Sequence, residues 1–266
     1  MPLFQFHDPG SSFYQLLTSQ YPQLLPRLPG YAPSEKKEIA QMVPHGTTVL
    51  AIRYREGVVI AGDRMATEGY SVSERRIEKV HKTDHSSAIA IAGAAGPCLE
   101  LTRLFQIELE HYEKLEGAEL SMEGKANKLA QMIKGNLPMA MQGLVVIPIF
   151  AGYDVKRETG RIFKYDIAGG QYEEAEYYAI GSGGKDARGT MKKIFKKDLS
   201  EEEAIRVAVE ALYDAAEADI ATGGPDLTRG IFPTVKVIKA QGVIDVEDER
   251  TKRLFQELIQ RQGGGL

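Results

Sequence analysis

The chain has 266 residues, of which 43% are hydrophobic and 26% charged, and its formal net charge is -4. This balance predicts a globular protein and argues against nucleic acid or an anionic membrane as its main partner. No apolar run approaches the roughly 18 residues of a membrane span, and the N-terminus lacks the pattern of a secretory signal. Because Cys98 is the only cysteine, no intrachain disulfide can form, and the cytoplasm is the predicted location.

The first 46 residues differ in composition from the rest of the chain. Prolines recur in them, and proline lacks a backbone N–H and disfavours helix at the residue before it. Because no helix or strand period is sustained there, residues 1–46 are predicted to be a leader or an arm. On composition alone, a disordered tail is the simpler interpretation.

A β-hairpin is predicted directly after Gly46. Residues Thr47–Ile52 are rich in β-branched side chains, and Val58–Ala61 is a second apolar run. Glu56-Gly57 lies between the two runs and is a turn signal. The start of the first strand is therefore expected beside the end of the second.

Strands and pairs of helices then alternate along the chain. Strands joined by short turns imply antiparallel pairing, and helices in sequential pairs imply layers outside stacked sheets. The predicted fold class is therefore α+β, a single sandwich domain. The expected elements are a strand at Ser87–Ala92, a helix through Leu101, Phe105, Leu109 and Tyr112 that stops at Gly117, a helix from Met122 to Ile133, strands at Leu144–Gly152, Arg161–Asp166 and Tyr177–Ile180, a helix from Lys185, a helix from Glu201 with a capping box at Ser200 and Glu203 and an end at Gly223-Gly224, strands at Ile231–Ile238 and Val243–Val246, and a C-terminal helix with Leu254, Leu258 and Ile259.

Thr47 follows Gly46 at the boundary between leader and domain. A threonine hydroxyl is a weak nucleophile unless a base takes its proton, and a free α-amine with a pKa of about 7.7–8.0 can be that base. That amine exists only if the bond before Thr47 is cut, and Gly46 leaves the carbonyl of this bond open to attack. The alternative interpretation is a glycine turn that leads into a strand.

Two charged residues are candidate partners of Thr47. Asp63 follows the second strand of the hairpin, so its carboxylate can reach the start of the first strand. Lys79, on a predicted strand beside apolar residues, needs a counter-charge there, and its ammonium would lower the pKa of the Thr47 amine and hydroxyl. The alternatives, each commoner on its own, are an aspartate that makes a local turn and a lysine on the surface.

These residues belong to a series of motifs that resembles the proteasome β-subunit family in order and spacing, across residues 47–246. Any one motif is weak evidence, but the set in register over this span is specific. The last two stretches are similar to the actinobacterial type. The motifs are Thr47-Thr48-Val49, Gly62-Asp63-Arg64, Glu78-Lys79-Val80, Ile91-Ala92-Gly93, Ile180-Gly181-Ser182-Gly183, Ala211–Ala216, Asp219–Asp226 and Arg229–Thr234.

The resemblance implies the N-terminal nucleophile hydrolase fold, a four-layer α-β-β-α sandwich of two stacked antiparallel sheets between helices. It implies a threonine-type endopeptidase, made as a zymogen and activated by autocatalytic cleavage between Gly46 and Thr47. Residues 1–46 would be the propeptide and residues 47–266 the mature domain.

The resemblance also implies a role for each site residue. Thr47 would be the nucleophile, with its own amine as the base, while Asp63 and Lys79 tune that pair electrostatically. The backbone N–H of Gly93 would stabilise the oxyanion of the tetrahedral intermediate. A supporting network around the terminal amine is implied for Ser182, Asp219 and Thr222.

Two positions depart from the family pattern. Met65 stands where relatives often have arginine, which is tolerable if this position acts through its backbone carbonyl. Thr222 stands where many relatives have serine, and it keeps the hydroxyl while its branched Cβ restricts the rotamer. Neither change removes a necessary group.

A substrate pocket is implied for the residue before the cut bond. Its predicted members are all apolar, so a preference for large apolar side chains follows. The alternative for any one of them is an ordinary core residue. The pocket residues are Ala66, Ile77, Ile91, Ala95 and Cys98.

The implied partners are other protein chains. The resemblance implies a homo-heptameric β-ring stacked on a second β-ring, flanked by rings of α-subunits, through which a ring-shaped ATPase feeds unfolded protein for degradation in a closed chamber. No cofactor is implied, and the five histidines show no metal-ligand spacing.

Two alternatives stay open. One is another amidohydrolase of this fold, such as the smaller ATP-dependent peptidase, which usually has Gly-Asp-Gly where this chain has Gly62-Asp63-Arg64. The other is a non-catalytic ring subunit, although such subunits lose the nucleophile, the lysine or the processing site, all of which are present here.

Overall fold

The computed structural model describes residues 46–68 and 71–263, so residues 1–45 of the predicted leader lie outside the described part of the chain. The described residues form two five-stranded antiparallel sheets, a two-stranded hairpin and six helices. No helix in this part of the chain is both long and apolar enough to cross a membrane.

The bounds of the elements follow the predicted order of strands and helix pairs. The strands are β1 (Thr48–Tyr54), β2 (Gly57–Gly62), β3 (Ala66–Glu68), β4 (Ser71–Glu74), β5 (Val80–Lys82), β6 (Ser87–Gly93), β7 (Val146–Asp154), β8 (Thr159–Tyr165), β9 (Gln171–Glu174), β10 (Tyr177–Gly181), β11 (Thr234–Lys239) and β12 (Gly242–Asp245). The helices are α1 (Ala95–Glu116), α2 (Met122–Gly135), α3 (Leu137–Ala140), α4 (Gly184–Ile194), α5 (Glu201–Ala218) and α6 (Asp248–Gly263).

Three apolar cores separate four layers. The first sheet, in the order β10-β1-β2-β11-β12, packs one face on α4, α5 and α6. Its other face packs on the second sheet, in the order β5-β6-β7-β8-β9, whose far face is covered by α1 and α2. Along β1, Leu50 and Ile52 enter the helix-side core while Val49 and Ala51 enter the core between the sheets, as strand alternation requires. The predicted α-β-β-α sandwich is confirmed.

The site lies at the end of the first sheet where β1 begins. In the β1–β2 hairpin Val49 pairs with Gly62, and the N–H of Asp63 donates to the carbonyl of Thr48 at 3.0 Å. On the other side of β1, Thr48 lies opposite Gly181, the last residue of β10. The start of β1, an interior strand of the sheet, is therefore flanked by the last residue of β10 and by the residue that follows β2.

Helix α5 begins as predicted and ends earlier. The capping box at Ser200 and Glu203 is present, with both reciprocal hydrogen bonds. The helix stops at Ala218 rather than at Gly223-Gly224, because Asp219 turns to an extended backbone conformation. The loop after α5 is therefore longer than predicted, and it contributes Thr222 to the site.

Other bounds differ for local reasons. The strand expected from Ile231 begins at Thr234, because Pro233 has no N–H to donate to a sheet ladder. Lys79 lies just before β5 rather than within a strand. The short elements β3, β4, β9 and α3, of three or four residues each, have too few apolar side chains for a periodic pattern.

Candidate active site

A fully buried carboxylate lies behind the start of β1. Asp63 Oδ1 accepts hydrogen bonds from the N–H of Thr48 at 2.7 Å and from Lys79 Nζ at 2.7 Å. Its Oδ2 accepts from the N–H of Met65 at 3.0 Å and from that of Gly223 at 2.9 Å. Because an ionised carboxylate offers about four acceptor positions, all of them are used, and the side chain is held in one orientation.

The Lys79 ammonium is nearly buried and also uses every hydrogen-bonding position. Besides Asp63, it donates to the backbone carbonyls of Met65 at 2.5 Å and Gly46 at 2.8 Å. Burial lowers the pKa of Lys79 below its ordinary value, and the Asp63 carboxylate opposes that shift. Met65 takes part through its main chain, so the contact does not depend on arginine at this position.

Thr47 is nearly buried, and the peptide bond before it is intact. Its Oγ1 donates to the carbonyl oxygen of Gly46 at 2.5 Å, the same oxygen that Lys79 contacts. Gly46 has φ +106°, and a Cβ there would come within 2.7 Å of Ala221 O and of Thr67 Oγ1. Glycine before Thr47 therefore meets both a conformational and a steric demand.

Ser182 approaches Thr47 from the end of β10. The N–H of Thr47 points to Ser182 Oγ at 3.5 Å, and the N–H of Ser182 donates to the carbonyl of Thr47 at 2.9 Å. The two residues are 135 positions apart in the chain, and the pairing of β1 with β10 brings them together.

Asp219 and Thr222 form a chain of hydrogen bonds that reaches Thr48, the residue after the nucleophile candidate Thr47. Thr222 Oγ1 donates to Asp219 Oδ2 at 2.6 Å and lies 2.7 Å from Thr48 Oγ1. The N–H of Gly183 also donates to Thr48 Oγ1, at 3.1 Å. The chain of hydrogen bonds therefore orients Thr48 and supports the backbone of Thr47 indirectly.

A small cavity of about 20 Å³ opens beside Gly46 and Thr47. Gly93 is on its wall with φ +131°, where a Cβ would lie 2.0 Å from Val145 O, so only glycine fits. All of the predicted pocket residues line this cavity, namely Ala66, Ile77, Ile91, Ala95 and Cys98.

Cys98 is not a nucleophile candidate despite its position. Its side chain is buried, and burial raises the pKa of its thiol to about 12, which keeps the thiol protonated near neutral pH. Among residues 46–68 and 71–263, no group of three or more His, Cys, Asp or Glu side chains is arranged to hold a metal ion.

Three further residues line the cavity without having been predicted from the sequence, namely Glu78, His81 and Leu99. A signal for His81 is present, because it lies two residues after Lys79 at the entry to β5. Residues two apart in an extended segment share a face, so Lys79 and His81 are expected on the same side.

The four-layer sandwich and this site together define a hydrolase in which a threonine just before an interior strand lies beside a buried lysine–aspartate pair. A family model described as "Proteasome subunit" matches residues 43–226. The chain therefore belongs to the proteasome subunit family, as a β-subunit, the catalytic protease subunit of a multi-subunit assembly.

The similarity to named relatives extends over nearly the whole chain. A proteasome subunit beta of Acidimicrobium ferrooxidans is 54% identical, and the match covers 98% of this chain and 93% of that one. The protein of the same name from Acidothermus cellulolyticus is 53% identical over 96% and 88% of the two chains. That from Streptomyces griseus is 50% identical over 97% and 91%.

Proposed function

We propose that this β-subunit is a threonine-type endopeptidase, made as a precursor that cuts its own chain between Gly46 and Thr47. The observation that carries the proposal is the convergence of two donors, Thr47 Oγ1 and Lys79 Nζ, on the carbonyl oxygen of Gly46. The nucleophile candidate is next to the bond to be cut, and a buried cation is on the oxygen that would become negative.

In the proposed autolysis, Thr47 Oγ1 adds to the carbonyl carbon of Gly46. The C–N bond then breaks, the hydroxyl proton is transferred to the released amine, and an ester joins Gly46 to Thr47 Oγ1. Water hydrolyses this ester, which leaves a carboxylate on Gly46 and a free amine on Thr47. The Lys79 ammonium stabilises the negative oxygen of the tetrahedral intermediate.

In the mature enzyme the free amine of Thr47 is the general base for its own hydroxyl. An amine with a pKa of about 7.7–8.0 is a suitable base near neutral pH, and the nearby Lys79 charge lowers that pKa further. Ser182 Oγ, 3.5 Å from the nitrogen in the precursor, is available to orient the amine. Asp63 holds Lys79 and Thr48 in position.

The Asp219–Thr222 pair supports the same arrangement through Thr48. Because Thr222 contacts the hydroxyl of Thr48, the pair restrains the residue that follows the nucleophile. We therefore assign Asp219 and Thr222 a positioning role, exerted through Thr48.

Gly93 is the proposed oxyanion donor for substrates. It lies on the wall of the cavity beside Thr47, at a backbone conformation that only glycine adopts without strain. A preorganised donor at such a position contributes about 3–4 kcal/mol to transition-state stabilisation. The side chain before the cut bond enters the cavity, whose Ala66, Ile77 and Ile91 walls favour an apolar body.

The assembly that we propose is the closed one that the family resemblance implies. Heptameric β-rings stack on each other between α-subunit rings in the cytoplasm, and an ATPase passes unfolded protein to the chamber. A protease with an apolar pocket is harmful when free, and both a delayed nucleophile and closed ring symmetry restrict it.

The decisive experiment is the intact mass of the chain after co-expression with an α-subunit. The wild-type chain is expected to begin at Thr47, to elute at many times its own mass in size exclusion with light scattering, and to hold the peptidase activity there. Thr47→Ala is expected to assemble and keep residues 1–46. Leader loss in pure Thr47→Ala assemblies would disprove autolysis, and a fully active processed monomer would disprove the requirement for the ring.

A further inference from the structure

A groove of about 510 Å³ adjoins the site and has no part in the proposed reaction. Its walls come from the segment before β3, the end of β4, the loop after α5 and helix α6. They combine an apolar surface that includes Phe232 and Ile259 with the side chains of Arg64 and Arg75, so we call it the arginine groove. Such a surface fits a peptide segment that has both apolar and acidic side chains.

The two arginines of the groove have no counter-charge. Arg64 Nε is sealed from solvent and makes no hydrogen bond within the described part of the chain. Arg75 is exposed and forms no ion pair with any described residue, whereas Arg229 nearby pairs with Asp226 at 2.7 Å. Buried polar atoms nearly always have a partner, and a carboxylate is the group that best fits the planar guanidinium. The groove therefore offers two cations to an acidic ligand.

The leader joins the described chain at the rim of this groove. The carbonyls of Gly46 and Met65 accept hydrogen bonds from the same Lys79 ammonium, at 2.8 and 2.5 Å, and Met65 is part of the groove wall. On its other side, a Cβ at Gly46 would touch Ala221, the residue before Thr222, which is also in the wall. The residues that precede Gly46 are therefore tethered next to the groove.

The leader has the side chains that the groove requires. Glu35 and Glu38 are the only acidic residues between positions 9 and 46, and the apolar residues Ile39 and Met42 follow them. Eight residues of extended chain span at most about 29 Å, so Glu38 can reach a groove that begins beside Gly46.

Apolar side chains next to this path are uncovered in the described part of the chain. Ile220 is 85% exposed and Leu227 is 50% exposed. Ile220 precedes Ala221, which lies against Gly46, and Leu227 is in the groove wall. Because the burial of apolar surface is favourable, a leader that follows this loop is stabilised by both side chains.

We propose that the arginine groove binds residues 35–42 of this chain's own leader, with Glu35 and Glu38 paired to Arg64 and Arg75. The two apolar residues lie on the apolar wall, and the two lysines between the glutamates face solvent. While the chain is intact, the tether raises the effective concentration of the leader at the groove to about the millimolar range. A cut before Thr47 removes the tether, so the leader then dissociates. The inference goes beyond the proposed autolysis and does not depend on it.

The test is disulfide cross-linking in the full-length Thr47→Ala chain, whose only native cysteine is buried. Ile39→Cys with Leu227→Cys is expected to form an intrachain disulfide at least about tenfold faster than Ile39→Cys with Lys197→Cys. Lys197 is the matched control, because it is exposed and lies beside the opposite end of β1.

Charge reversal tests the arginines themselves. Arg64→Glu with Arg75→Glu is expected to slow the cross-link to Leu227→Cys at least about tenfold, the effect of losing one hydrogen bond to a charged group. Adding Glu35→Arg and Glu38→Arg is expected to restore most of the rate, which a damaged fold would not do.

The matched charge control uses two exposed arginines outside the groove. Arg53→Glu with Arg253→Glu makes the same change in net charge and should cross-link at the unmodified rate. Equal rates at Leu227 and Lys197, or an unchanged rate in the groove variant, overturn the inference. A disulfide between two chains, seen as a dimer on a non-reducing gel, would assign the groove to the leader of a second copy and overturn it as well. Leader loss from the Thr47→Ala chain, measured by intact mass, would instead count against the proposed autolysis.

Discussion

Lys79 donates a 2.8 Å hydrogen bond to the carbonyl oxygen of Gly46, the acyl group that links the leader to the nucleophile candidate. A carbonyl oxygen becomes negative when a nucleophile adds to its carbon, so a buried cation on it stabilises that state more than the ground state. The same ammonium forms the ion pair with Asp63. The proposal therefore gives Lys79 both a structural and a chemical role, and the two can be separated by experiment.

The first prediction separates these roles of Lys79. Lys79→Met leaves Asp63 buried without a counter-charge and is expected to lower the free energy of unfolding by about 3–5 kcal/mol. Adding Asp63→Asn to this variant is expected to recover only part of that loss. No charge is then left buried, but the amide NH2 cannot accept from the backbone N–H groups that Asp63 binds. In both variants leader cleavage should be at least about 100-fold slower than in wild type, since the cation on the Gly46 carbonyl is missing.

Urea unfolding and the time course of leader loss, followed by intact mass, measure these two effects. Lys82 lies at the exposed end of β5, so Lys82→Met is the matched control and should resemble wild type in both assays. Fast leader loss in the double variant would show that the ammonium acts only through stability.

The second prediction concerns the backbone at the proposed processing site. Gly46→Ala adds a Cβ at φ +106°, against Ala221 O and Thr67 Oγ1. A left-handed backbone costs other residues about 1–2 kcal/mol, so leader loss is expected to slow by about tenfold. Gly96→Ala in α1, where a Cβ meets nothing within 4 Å, should process at the wild-type rate. Equal rates for both variants would contradict the role of the Gly46 conformation.

A third prediction is the pH dependence of the mature peptidase. In the proposed mechanism the base is the neutral form of the Thr47 amine, so kcat/KM is expected to fall as pH drops below the pKa of that amine. The Lys79 charge moves this pKa below about 7.7–8.0. Initial rates measured from about pH 6 to about pH 8 give the rising part of the curve of kcat/KM against pH. Activity independent of pH over this range would exclude the amine as the base.

The fourth prediction tests a second buried lysine, far from the site in sequence. Lys125 Nζ contacts Asp84 Oδ2 at 2.7 Å, Glu119 Oε2 at 2.8 Å and Ser86 Oγ at 2.8 Å, and joins α2 to the β5–β6 turn. Lys125→Ala leaves the two carboxylates together without a counter-charge. It is expected to lower the free energy of unfolding by about 3–5 kcal/mol, measured by urea unfolding of the Thr47→Ala precursor.

The matched control for Lys125 lies on the same helix. Lys128 forms a half-exposed ion pair with Glu108, so Lys128→Ala is expected to lower the free energy of unfolding by less than about 1 kcal/mol. Equal costs for the two lysines would mean that the buried cluster contributes no more than a surface ion pair.

The last prediction concerns Thr222, which differs from the serine common in the resembling family. Thr222→Ser keeps the hydroxyl between Asp219 and Thr48 and is expected to keep peptidase activity within about twofold. Thr222→Val keeps the shape but leaves the Asp219 carboxylate and the Thr48 hydroxyl without that partner, and kcat is expected to fall at least about tenfold. Full activity of Thr222→Val would show that the Thr222 hydroxyl has no positioning role.

Much of the fold follows from local pattern. The apolar runs on either side of Glu56-Gly57 predict the β1–β2 hairpin, and hairpin geometry then predicts that Asp63 lies beside the start of β1. The Ser200–Glu203 capping box predicts the first residue of α5, because its hydrogen bonds join residues three apart. The end of α5 differs from the prediction, because an extended residue, Asp219, stops the helix before the glycines.

Sequence patterns were therefore sufficient for the sandwich, the hairpin and the place of Asp63 at the head of β1, since each depends on neighbours in the chain or on a repeated period. The family resemblance led us to expect Ser182 near the Thr47 amine. The folded chain was needed to reveal that the Asp219–Thr222 pair ends on Thr48 and that His81 shares the cavity wall. The contact between Thr48 and Thr222 joins residues 174 positions apart, and its geometry depends on how the loop after α5 packs against β1. No local pattern encodes that packing, because it results from the burial of all three cores together.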